Sequence, residues 1–418
     1  MYIERNIAEV LRKRAKNSRC LLLTGPRQVG KSTLLKNMYP DVKYYTFDDK
    51  VLLTSATDDP KLFIKNLSKP SILDEVQYAK DLFPYIKIEC DKEDSYENYY
   101  LTGSQQMKLM KKAKESLAGR VSILELQGLS MREIHGVTFN KHFVPTDEYI
   151  TEREKQVTPY KNIWQIIHRG SYPELYVRER EWVDFYSSYV RTYLERDIRD
   201  EIELKDEITF TKFLTALAAR TGQILNYANL AEEVGVTQVT IKNWVSVLER
   251  TGIIFILQPY YSSHLTRAIK TPKIYFRDTG LACYLSRWNN YEALENSAVA
   301  GNMFETFVIA EILKSFINEG LEYQFSVFYY RGKDKRNVKE VCVFVEKENE
   351  IDFIIEENGV LYPIEIKKSA NPTKNMADAF DVLDKDVDKK RGTGVILCLY
   401  DNKLYLKEDL IVLPIEYV

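Results

Sequence analysis

Nine consecutive residues near the amino terminus restrict the possible folds of this chain more than any other segment. They are Gly25, Pro26, Arg27, Gln28, Val29, Gly30, Lys31, Ser32 and Thr33, and they have the spacing G-x-x-x-x-G-K-S. An apolar run at 20–23 precedes them, and residues 33–38 have the composition of a helix. A glycine loop between a buried strand and a helix N-terminus binds anions, because free N–H groups and the helix dipole favour negative charge. The segment therefore predicts a phosphate-binding loop in an α/β fold.

The residues of this loop have separate expected tasks in binding a nucleoside triphosphate. The backbone of residues 25–33 would surround the phosphates, and the Lys31 ammonium would reach the β- and γ-phosphates. The Ser32 hydroxyl would be a ligand of Mg²⁺. The expected cofactors are therefore ATP and Mg²⁺. A plain glycine turn is the alternative, and the flanking strand and helix count against it.

Length and composition exclude several classes of protein. The chain has 418 residues, of which 45% are hydrophobic and 29% charged, and this indicates a globular protein of two to four domains. Lys and Arg total 59 against 61 Asp and Glu, so binding of a polyanion would need local patches. The five cysteines form no CxxC pair, which argues against a disulfide framework and a zinc site. No apolar run approaches the ~18 residues that span a bilayer, and we expect a cytoplasmic protein without membrane contact.

Two adjacent acids follow the apolar run at 71–73 and are candidates for the chemistry of ATP hydrolysis. Asp74 would hold the hydrated Mg²⁺, and Glu75 would act as the base that activates the attacking water. Acidic pairs are common on protein surfaces, but this pair follows a buried type of strand downstream of the phosphate loop.

Further candidates could contact the γ-phosphate or stabilise charge in the transition state. Ser104, or Gln105, follows the apolar run at 99–101 and could reach the γ-phosphate, with strand capping as the alternative. Arg120 could stabilise transition-state charge, either in cis or from a neighbouring subunit, with a solvated arginine as the alternative. Arg196 and Arg199 are further candidates for the same task.

Several of these segments resemble one family of ATPases. GPRQVGKST, ILDEVQ, LTGSQ and SLAGR, in this order, resemble the bacterial and archaeal AAA-type ATPases that are fused to a C-terminal domain of unknown function 4143. SYPEL, YVRTYLERDIRD and TPKIYFRDTGLACYL resemble the same family, so the likeness covers nearly the whole chain. Ser171 departs from the pattern, because the family usually has Gly-Gly before Tyr-Pro-Glu. The resemblance implies ATP binding and a winged-helix element, and it leaves the cellular task open.

The middle of the chain predicts a winged helix-turn-helix. Residues 229–234 read as a helix, Gly235 as a turn and Thr237 as the N-cap of a second helix at 238–250. Two apolar runs follow, at 253–258 and 273–276, and the loop between them carries Arg267 and Lys270. In such a unit the second helix enters the major groove of DNA. Residues 206–277 have eight Lys and Arg against five Asp and Glu, which is a modest excess. Contact with double-stranded DNA and a lid of the same shape that binds a protein partner or senses the nucleotide therefore stay equal alternatives.

The last third of the chain predicts a hairpin with a polar face. Asn-Gly at 358–359 separates two alternating runs, which is the strongest short hairpin signal. A two-residue turn there places Asp352 directly opposite Glu365, with Lys367 on the same face. Together with Glu305 on a preceding helix, this arrangement matches the PD-(D/E)xK nuclease pattern, in which the three acids hold a metal ion and the lysine acts on water. A solvated hairpin, or an inactive nuclease fold that binds DNA or a partner, is the alternative.

These predictions combine into one organisation. We expect an α/β protein with a P-loop ATPase domain at 1–130, a helical region at 131–205, a winged helix-turn-helix at 206–277 and a restriction-endonuclease-like α/β domain at 278–418. From about residue 263 the sequence predicts strands around one helix at 304–316. The favoured function is Mg²⁺-dependent ATP hydrolysis coupled to DNA engagement, with an oligomer as a possible state. The alternatives are an ATP-controlled switch that binds a protein partner and an ATP-assisted nuclease.

Overall fold

The structure, a computed structural model, describes residues 2–92, 96–103, 115–194, 206–261, 270–338, 343–386 and 388–418. Five of the residues singled out above lie outside these ranges, and they are Ser104, Gln105, Arg196, Arg199 and Arg267.

A parallel sheet is the centre of the amino-terminal part. Its strands, in chain order, are β1 (Cys20–Thr24), β2 (Lys43–Thr46), β3 (Ser71–Asp74), β4 (Tyr99–Thr102) and β5 (Val121–Glu125). They lie side by side in the order β2-β3-β4-β1-β5, and every pair is parallel. β1, β3 and β4 are buried along their whole length, which explains why they read as continuous apolar runs. The predicted α/β class with a parallel amino-terminal sheet is confirmed.

Helices cover both faces of this sheet. They are α1 (Ala8–Ala15), α2 (Lys31–Met38), α3 (Lys50–Asp58), α4 (Pro60–Asn66) and α5 (Phe83–Lys92). Alternate residues of β1 enter different clusters: Leu21 packs with α2 on one face, and Leu22 packs with α4 and α5 on the other. This alternation follows from the pleat of the strand. The carboxyl ends of β1 and β3 consequently meet at one edge of a sheet that is fixed from both sides.

A run of short helices follows the sheet. They are α6 (Met131–Ile134), α7 (Asp147–Glu154), α8 (Ile163–Arg169), α9 (Glu174–Val177) and α10 (Trp182–Tyr189). α10 continues into a π-helical segment, Val190–Leu194. The predicted helical region at 131–205 is therefore mostly helical over the part that the structure describes, which ends at Leu194.

A helix-turn-helix unit with a small sheet comes next. Its elements are α11 (Glu207–Ala218), β6 (Gln223–Ile224), α12 (Tyr227–Val234), α13 (Gln238–Arg250), β7 (Ile254–Leu257) and β8 (Lys273–Phe276), with the antiparallel sheet order β6-β8-β7. Gly235 is left-handed, with φ of 86°, and the Thr237 hydroxyl accepts from the Thr240 N–H. The predicted helices, turn and N-cap are therefore confirmed. Ile241 and Leu248 are buried on one face of α13.

The carboxyl-terminal part is a mixed sheet packed against a long buried helix. The helices are α14 (Thr279–Leu285), α15 (Tyr291–Glu295) and α16 (Ala300–Asn318). The strands are β9 (Val327–Val338), β10 (Val343–Glu357), β11 (Val360–Lys367), β12 (Lys390–Arg391), β13 (Gly394–Cys398), β14 (Leu404–Lys407) and β15 (Leu410–Pro414). They have the order β14-β15-β13-β11-β10-β9, with β12 beside β11. α14 and α15 were not predicted, because each is about two turns or less. Within the described ranges, no helix combines the length and apolarity needed to cross a bilayer.

Candidate functional site

The loop at residues 25–30 joins β1 to α2, as the sequence predicted. Gly25 has φ of 142°, and a Cβ there would lie 2.0 Å from the Leu126 carbonyl oxygen. Gly30 is left-handed, with φ of 94°, at the N-cap of α2. A side chain at either position is therefore excluded or strained, which accounts for both glycines of the motif. The Lys31 side chain is 6% exposed, and its ammonium donates to the carbonyl oxygens of Gly25 (3.0 Å) and Pro26 (2.8 Å).

Asp74 lies beside this loop at the end of β3. The Ser32 hydroxyl donates to Asp74 Oδ1 at 2.7 Å, so a hydroxyl and a carboxylate that are 42 residues apart in sequence lie together. The Thr102 hydroxyl also donates to Oδ1, and the Tyr44 hydroxyl donates to Oδ2. Tyr44 and Thr102 were missed by the sequence analysis, although Thr102 ends β4 and Tyr44 lies in β2, the two strands that flank β3. These oxygen ligands match the preference of Mg²⁺ for hard donors.

Glu75 faces the same pocket as Lys31. Its backbone is left-handed, with φ of 57°, a strained conformation for a non-glycine residue. Burial raises the pKa of Glu75, while the Lys31 ammonium and a hydrogen bond from the Gln77 amide lower it. A raised pKa makes this carboxylate a better proton acceptor than an exposed glutamate.

The loop forms one wall of a pocket of about 460 Å³. The opposite walls come from distant parts of the sequence, and they include Tyr2, Ile3, Arg5, Pro173, Glu174 and Arg178. None of these six residues was predicted as a site residue. The motif SYPEL was noted for its family resemblance alone, and no spacing in the sequence places it near the loop.

Arg120 lies at the opposite edge of the sheet. It immediately precedes β5, and its carbonyl oxygen accepts from the N–H of Cys20, the first residue of β1. β1 has five residues, so about 16 Å of strand separates Arg120 from the phosphate loop. The Arg120 guanidinium instead pairs with Asp91, with Nη2 3.0 Å from Oδ2. A role in cis is therefore wrong, and a role in a neighbouring subunit stays a prediction.

Two residues that follow β8 join the helix-turn-helix unit to β5 and to the segment that contains Ser171. Arg277 Nη1 donates to Glu125 Oε1 at 2.9 Å, at the end of β5. Asp278 Oδ2 accepts from the N–H (2.6 Å) and the hydroxyl (2.8 Å) of Ser171. The Ser171 carbonyl oxygen in turn accepts from the N–H of Leu129, which lines the pocket, at 2.7 Å.

α16 contacts the same segment from the carboxyl-terminal part. The Lys314 ammonium donates to the Leu129 carbonyl oxygen at 2.9 Å and pairs with Glu311 Oε1 at 2.7 Å. Glu311 Oε2 accepts from the Met131 N–H at 2.8 Å. All of these side chains are buried, so the pocket wall and α16 are joined by contacts that are shielded from water.

The predicted hairpin forms with the predicted register, from Glu357 opposite Val360 to Phe353 opposite Ile364. The ladder ends one pair before Asp352 and Glu365, so their direct opposition is not observed. A bulge between Ile351 and Ile354 in the pairing with β9 changes the direction of the strand at this point. Asp352 Oδ2 instead accepts from the Ile366 N–H at 2.9 Å.

Asp352, Glu365 and Lys367 nevertheless lie together. The Lys367 ammonium is 2.5 Å from Glu365 Oε1 and 3.1 Å from Asp352 Oδ2. Burial and the Asp352 carboxylate raise the pKa of Glu365 to about 8, against the opposing effect of Lys367. The other carboxylate oxygen of Glu365 is buried and has no hydrogen-bond partner among the described residues.

Glu305 completes this charged cluster with three residues that were not predicted. The Lys273 ammonium, on β8, lies 3.2 Å from Glu305 Oε1 and 2.7 Å from Glu350 Oε1. The Tyr275 hydroxyl donates to Glu305 Oε1 at 2.5 Å. Burial and the Asp352 carboxylate raise the pKa of Glu305 to about 7. We call Lys273, Tyr275, Glu305, Glu350, Asp352, Glu365 and Lys367 the carboxyl-terminal cluster.

The cluster does not have the arrangement of a metal site. Among the side chains that the structure describes, no group of three His, Cys, Asp or Glu is placed to hold a metal ion. Lys273 and Lys367 supply positive charge to the carboxylates instead. These contacts do not fit a metal site, and metal binding by Glu305, Asp352 and Glu365 stays a prediction.

Comparison with known families agrees with the geometry of the loop. The model of an AAA domain matches residues 17–135, and the model of a domain of unknown function, DUF4143, matches residues 300–418. A third model, of the domain of unknown function DUF8612, matches residues 160–292. The matches to an AAA domain and to DUF4143 have the order and the positions that the motifs predicted, so the predicted resemblance is confirmed.

Individual relatives extend over most of the chain. The uncharacterized protein Rv2008c of Mycobacterium tuberculosis is 27% identical over 426 aligned residues, which cover 100% of this chain and 85% of that protein. The uncharacterized protein MJ1544 of Methanocaldococcus jannaschii is 25% identical, over 85% of this chain and 79% of its own length. Among solved structures, the Walker-type ATPase PABY2304 of Pyrococcus abyssi aligns with 68% of this chain and 96% of its own, at 16% identity and a TM-score of 0.39. A likeness this low carries no functional argument.

Proposed function

We propose that this protein binds ATP with Mg²⁺ and hydrolyses it, and that the bound nucleotide controls the helix-turn-helix unit and the carboxyl-terminal domain. The contact between Ser32 Oγ and Asp74 Oδ1, at 2.7 Å beside the glycine loop, carries the first part. A hydroxyl and a carboxylate so placed can both bind the hydrated cation that accompanies a triphosphate. The match of residues 17–135 to an AAA domain supports the same assignment.

Each side chain then has a defined task. Lys31 exchanges its two carbonyl acceptors for phosphate oxygens, which are charged and therefore stronger acceptors. Ser32 and Asp74 would hold Mg²⁺, which supplies positive charge to the phosphates when it is bound. Glu75 accepts a proton from the attacking water, helped by the raised pKa of its carboxyl group.

ATP hydrolysis by the full chain tests this assignment. We expect Mg²⁺-dependent turnover by the wild type and loss of it, by about 100-fold or more, in Lys31→Ala, since positioning and charge are the main sources of catalysis in phosphoryl transfer. Lys65→Ala, which removes an exposed lysine at the end of α4, is the matched control and should turn over like the wild type. Equal rates for Lys31→Ala and the wild type would remove the assignment.

The second part of the proposal is that the bound nucleotide controls the binding of DNA by the helix-turn-helix unit. The order α12, Gly235, α13, β7, β8 and the exposed Lys242 and Asn243 on α13 support a winged-helix unit that reads DNA. β8 leads directly into Arg277 and Asp278, which contact Glu125 and Ser171, and Ser171 in turn contacts Leu129 in the pocket wall. A change in the pocket on nucleotide binding would therefore reach the helix-turn-helix unit through β8.

Duplex binding at several salt concentrations separates this function from a switch that acts on a protein partner. We expect affinity to fall steeply between low and physiological salt, because each phosphate contact releases counterions. Lys242→Glu should weaken binding and reduce the salt slope by about one. Absence of duplex binding at low salt, with and without ATP, would favour the protein-partner alternative.

An ATP-assisted nuclease is the second candidate, because Asp352, Glu365 and Lys367 of the nuclease pattern lie together. A metal ion would have to displace the Lys367 ammonium from both carboxylates. Cleavage of DNA with Mg²⁺ or Mn²⁺, lost in Lys367→Ala, would support it. Cleavage that is unchanged in this variant, or absent under all conditions, would assign the cluster to binding or structure.

A further inference from the structure

Arg5 lines the nucleotide pocket and contacts three separate segments of the chain, one in the pocket wall and two beside it. Its Nη1 donates to the Val29 carbonyl oxygen in the phosphate loop at 2.8 Å. Its Nη2 donates to the carbonyl oxygens of Gln127 (2.6 Å) and Gly128 (3.2 Å), which follow β5. Its Nε donates to Glu133 Oε1 on α6 at 3.1 Å. One guanidinium group therefore joins the phosphate loop to two segments that are about 100 residues away in sequence.

This contact is built into the interior of the protein. Arg5 is 5% exposed and also lines the pocket. Glu133 has a fully buried side chain, and it is held by the N–H groups of Asn6 and Ser130, each at 2.8 Å. The planar fork of an arginine is needed, because a lysine is a single point donor and cannot contact all three segments at once.

The contact with Val29 fixes the direction of a donor in the phosphate loop. The peptide bond between Val29 and Gly30 is trans, and in a trans peptide the C=O and the N–H point in opposite directions. Since the Val29 carbonyl points to Arg5, the Gly30 N–H points away from the guanidinium. Gly30 is also a left-handed glycine, with φ of 94°, and a glycine has many alternative backbone conformations. Arg5 therefore restricts the loop next to a residue whose backbone is intrinsically permissive.

We propose that Arg5 is a positioning residue of the nucleotide pocket, which holds the phosphate loop and the segment after β5 in the arrangement that binds a nucleoside triphosphate. This inference rests on the proposed ATP binding. Arg5 acts through the carbonyl oxygens of Val29, Gln127 and Gly128, and it does not take part in the chemical step. Its loss should therefore raise KM for ATP more than it lowers kcat.

Arg5→Lys is the principal variant, since it keeps the charge beside Glu133 and removes the fork. We expect KM for ATP to rise about tenfold or more, because the contacts with Val29 and with residues 127–128 are lost. We expect kcat to fall by a smaller factor. Arg5→Ala should show the same KM effect, and millimolar guanidinium ion should restore KM toward the wild-type value, while sodium at equal ionic strength should not. Lys13→Ala, an exposed cation on α1, is the control.

The outcomes separate this inference from the proposed function. If the wild type neither binds nor hydrolyses ATP, the proposed function falls. If Lys31→Ala loses ATP binding while Arg5→Lys keeps the wild-type KM, the inference alone falls. If both Arg5 variants fail to fold, hydrogen exchange of the wild type decides: an ATP analogue with Mg²⁺ should protect residues 2–7 together with 25–33. Protection of 25–33 without any change at 2–7 would overturn the inference.

Discussion

The nucleotide pocket and the carboxyl-terminal cluster both contain buried charged side chains, but they balance charge in opposite ways. In the pocket, the Lys31 ammonium donates to the neutral carbonyl oxygens of Gly25 and Pro26. In the cluster, the ammonium groups of Lys273 and Lys367 contact carboxylates directly. A phosphate can improve on the contacts of Lys31, whereas a cation that enters the cluster must compete with two lysines. The comparison identifies the pocket as a site arranged for an anionic ligand and the cluster as a group of acids that already contact two lysines.

The largest expected effect concerns the chemical step in the pocket. Glu75→Gln removes the proton acceptor and keeps the shape of the side chain, so kcat for ATP should fall by a factor of about 10² to 10⁴, with KM changed little. Steady-state hydrolysis measures both constants. The control is Glu89→Gln, outside the pocket on α5. A wild-type kcat in Glu75→Gln would exclude this residue as the base.

The second effect concerns the lysine that β8 contributes to the cluster. Lys273→Met leaves the Glu305 and Glu350 carboxylates without this ammonium group, and breaking a buried ion pair costs about 3–5 kcal/mol of unfolding free energy. Urea unfolding in the presence of a chelator measures the loss. Lys270→Met, an exposed lysine just before β8, should change stability by less than about 0.5 kcal/mol. If the two variants were equally stable, the ion pairs of Lys273 with Glu305 and Glu350 would not stabilise the cluster.

The pH dependence of stability gives a third, smaller effect. The pKa of Glu365 is raised from 4.5 to about 8 in the folded protein, so the folded state binds more protons than the unfolded state between these values. Stability should therefore fall as the pH rises from about 5 to 8. Glu365→Gln, which cannot ionise, should make the decline shallower by about 1 kcal/mol or more, whereas Glu408→Gln, at an exposed position, should leave it unchanged. A wild-type slope in Glu365→Gln, measured by urea unfolding at each pH, would contradict the description of the cluster.

The smallest expected effect tests the link between the two regions. Arg277→Gln weakens the contact with Glu125 at the end of β5, and we expect the affinity for ATP to change by about fivefold, which is a typical coupling between sites. Isothermal titration with an ATP analogue measures this affinity. Arg250→Gln, on the exposed side of α13, is the control and should bind like the wild type. Identical affinities for Arg277→Gln and the wild type would mean that this contact transmits nothing.

The sequence predicted those features that depend on local pattern. Strands that are buried on both faces read as apolar runs, and this is why β1, β3 and β4 were located. The Asn-Gly turn set the register of the hairpin correctly up to Phe353 and Ile364. The bulge beyond that pair could not be foreseen, because it depends on the pairing of β10 with β9.

The features that were missed depend on contacts between distant segments. Lys273 and Tyr275 reach the cluster from a strand of another unit, and Arg5 reaches the phosphate loop from a segment without any motif. The cis role for Arg120 could have been rejected from the sequence alone. A residue that precedes a parallel strand lies at the amino edge of the sheet, and the phosphate loop lies at the carboxyl edge.

The nucleotide retained by Glu75→Gln tests the central claim most directly. The wild type, Glu75→Gln and Lys31→Ala are each incubated with ATP and Mg²⁺, separated from free nucleotide, and the bound nucleotide is identified by chromatography. Hydrolysis at the loop predicts intact ATP on Glu75→Gln, ADP on the wild type and no retained nucleotide on Lys31→Ala. ADP on Glu75→Gln, or wild-type retention by Lys31→Ala, would contradict the account.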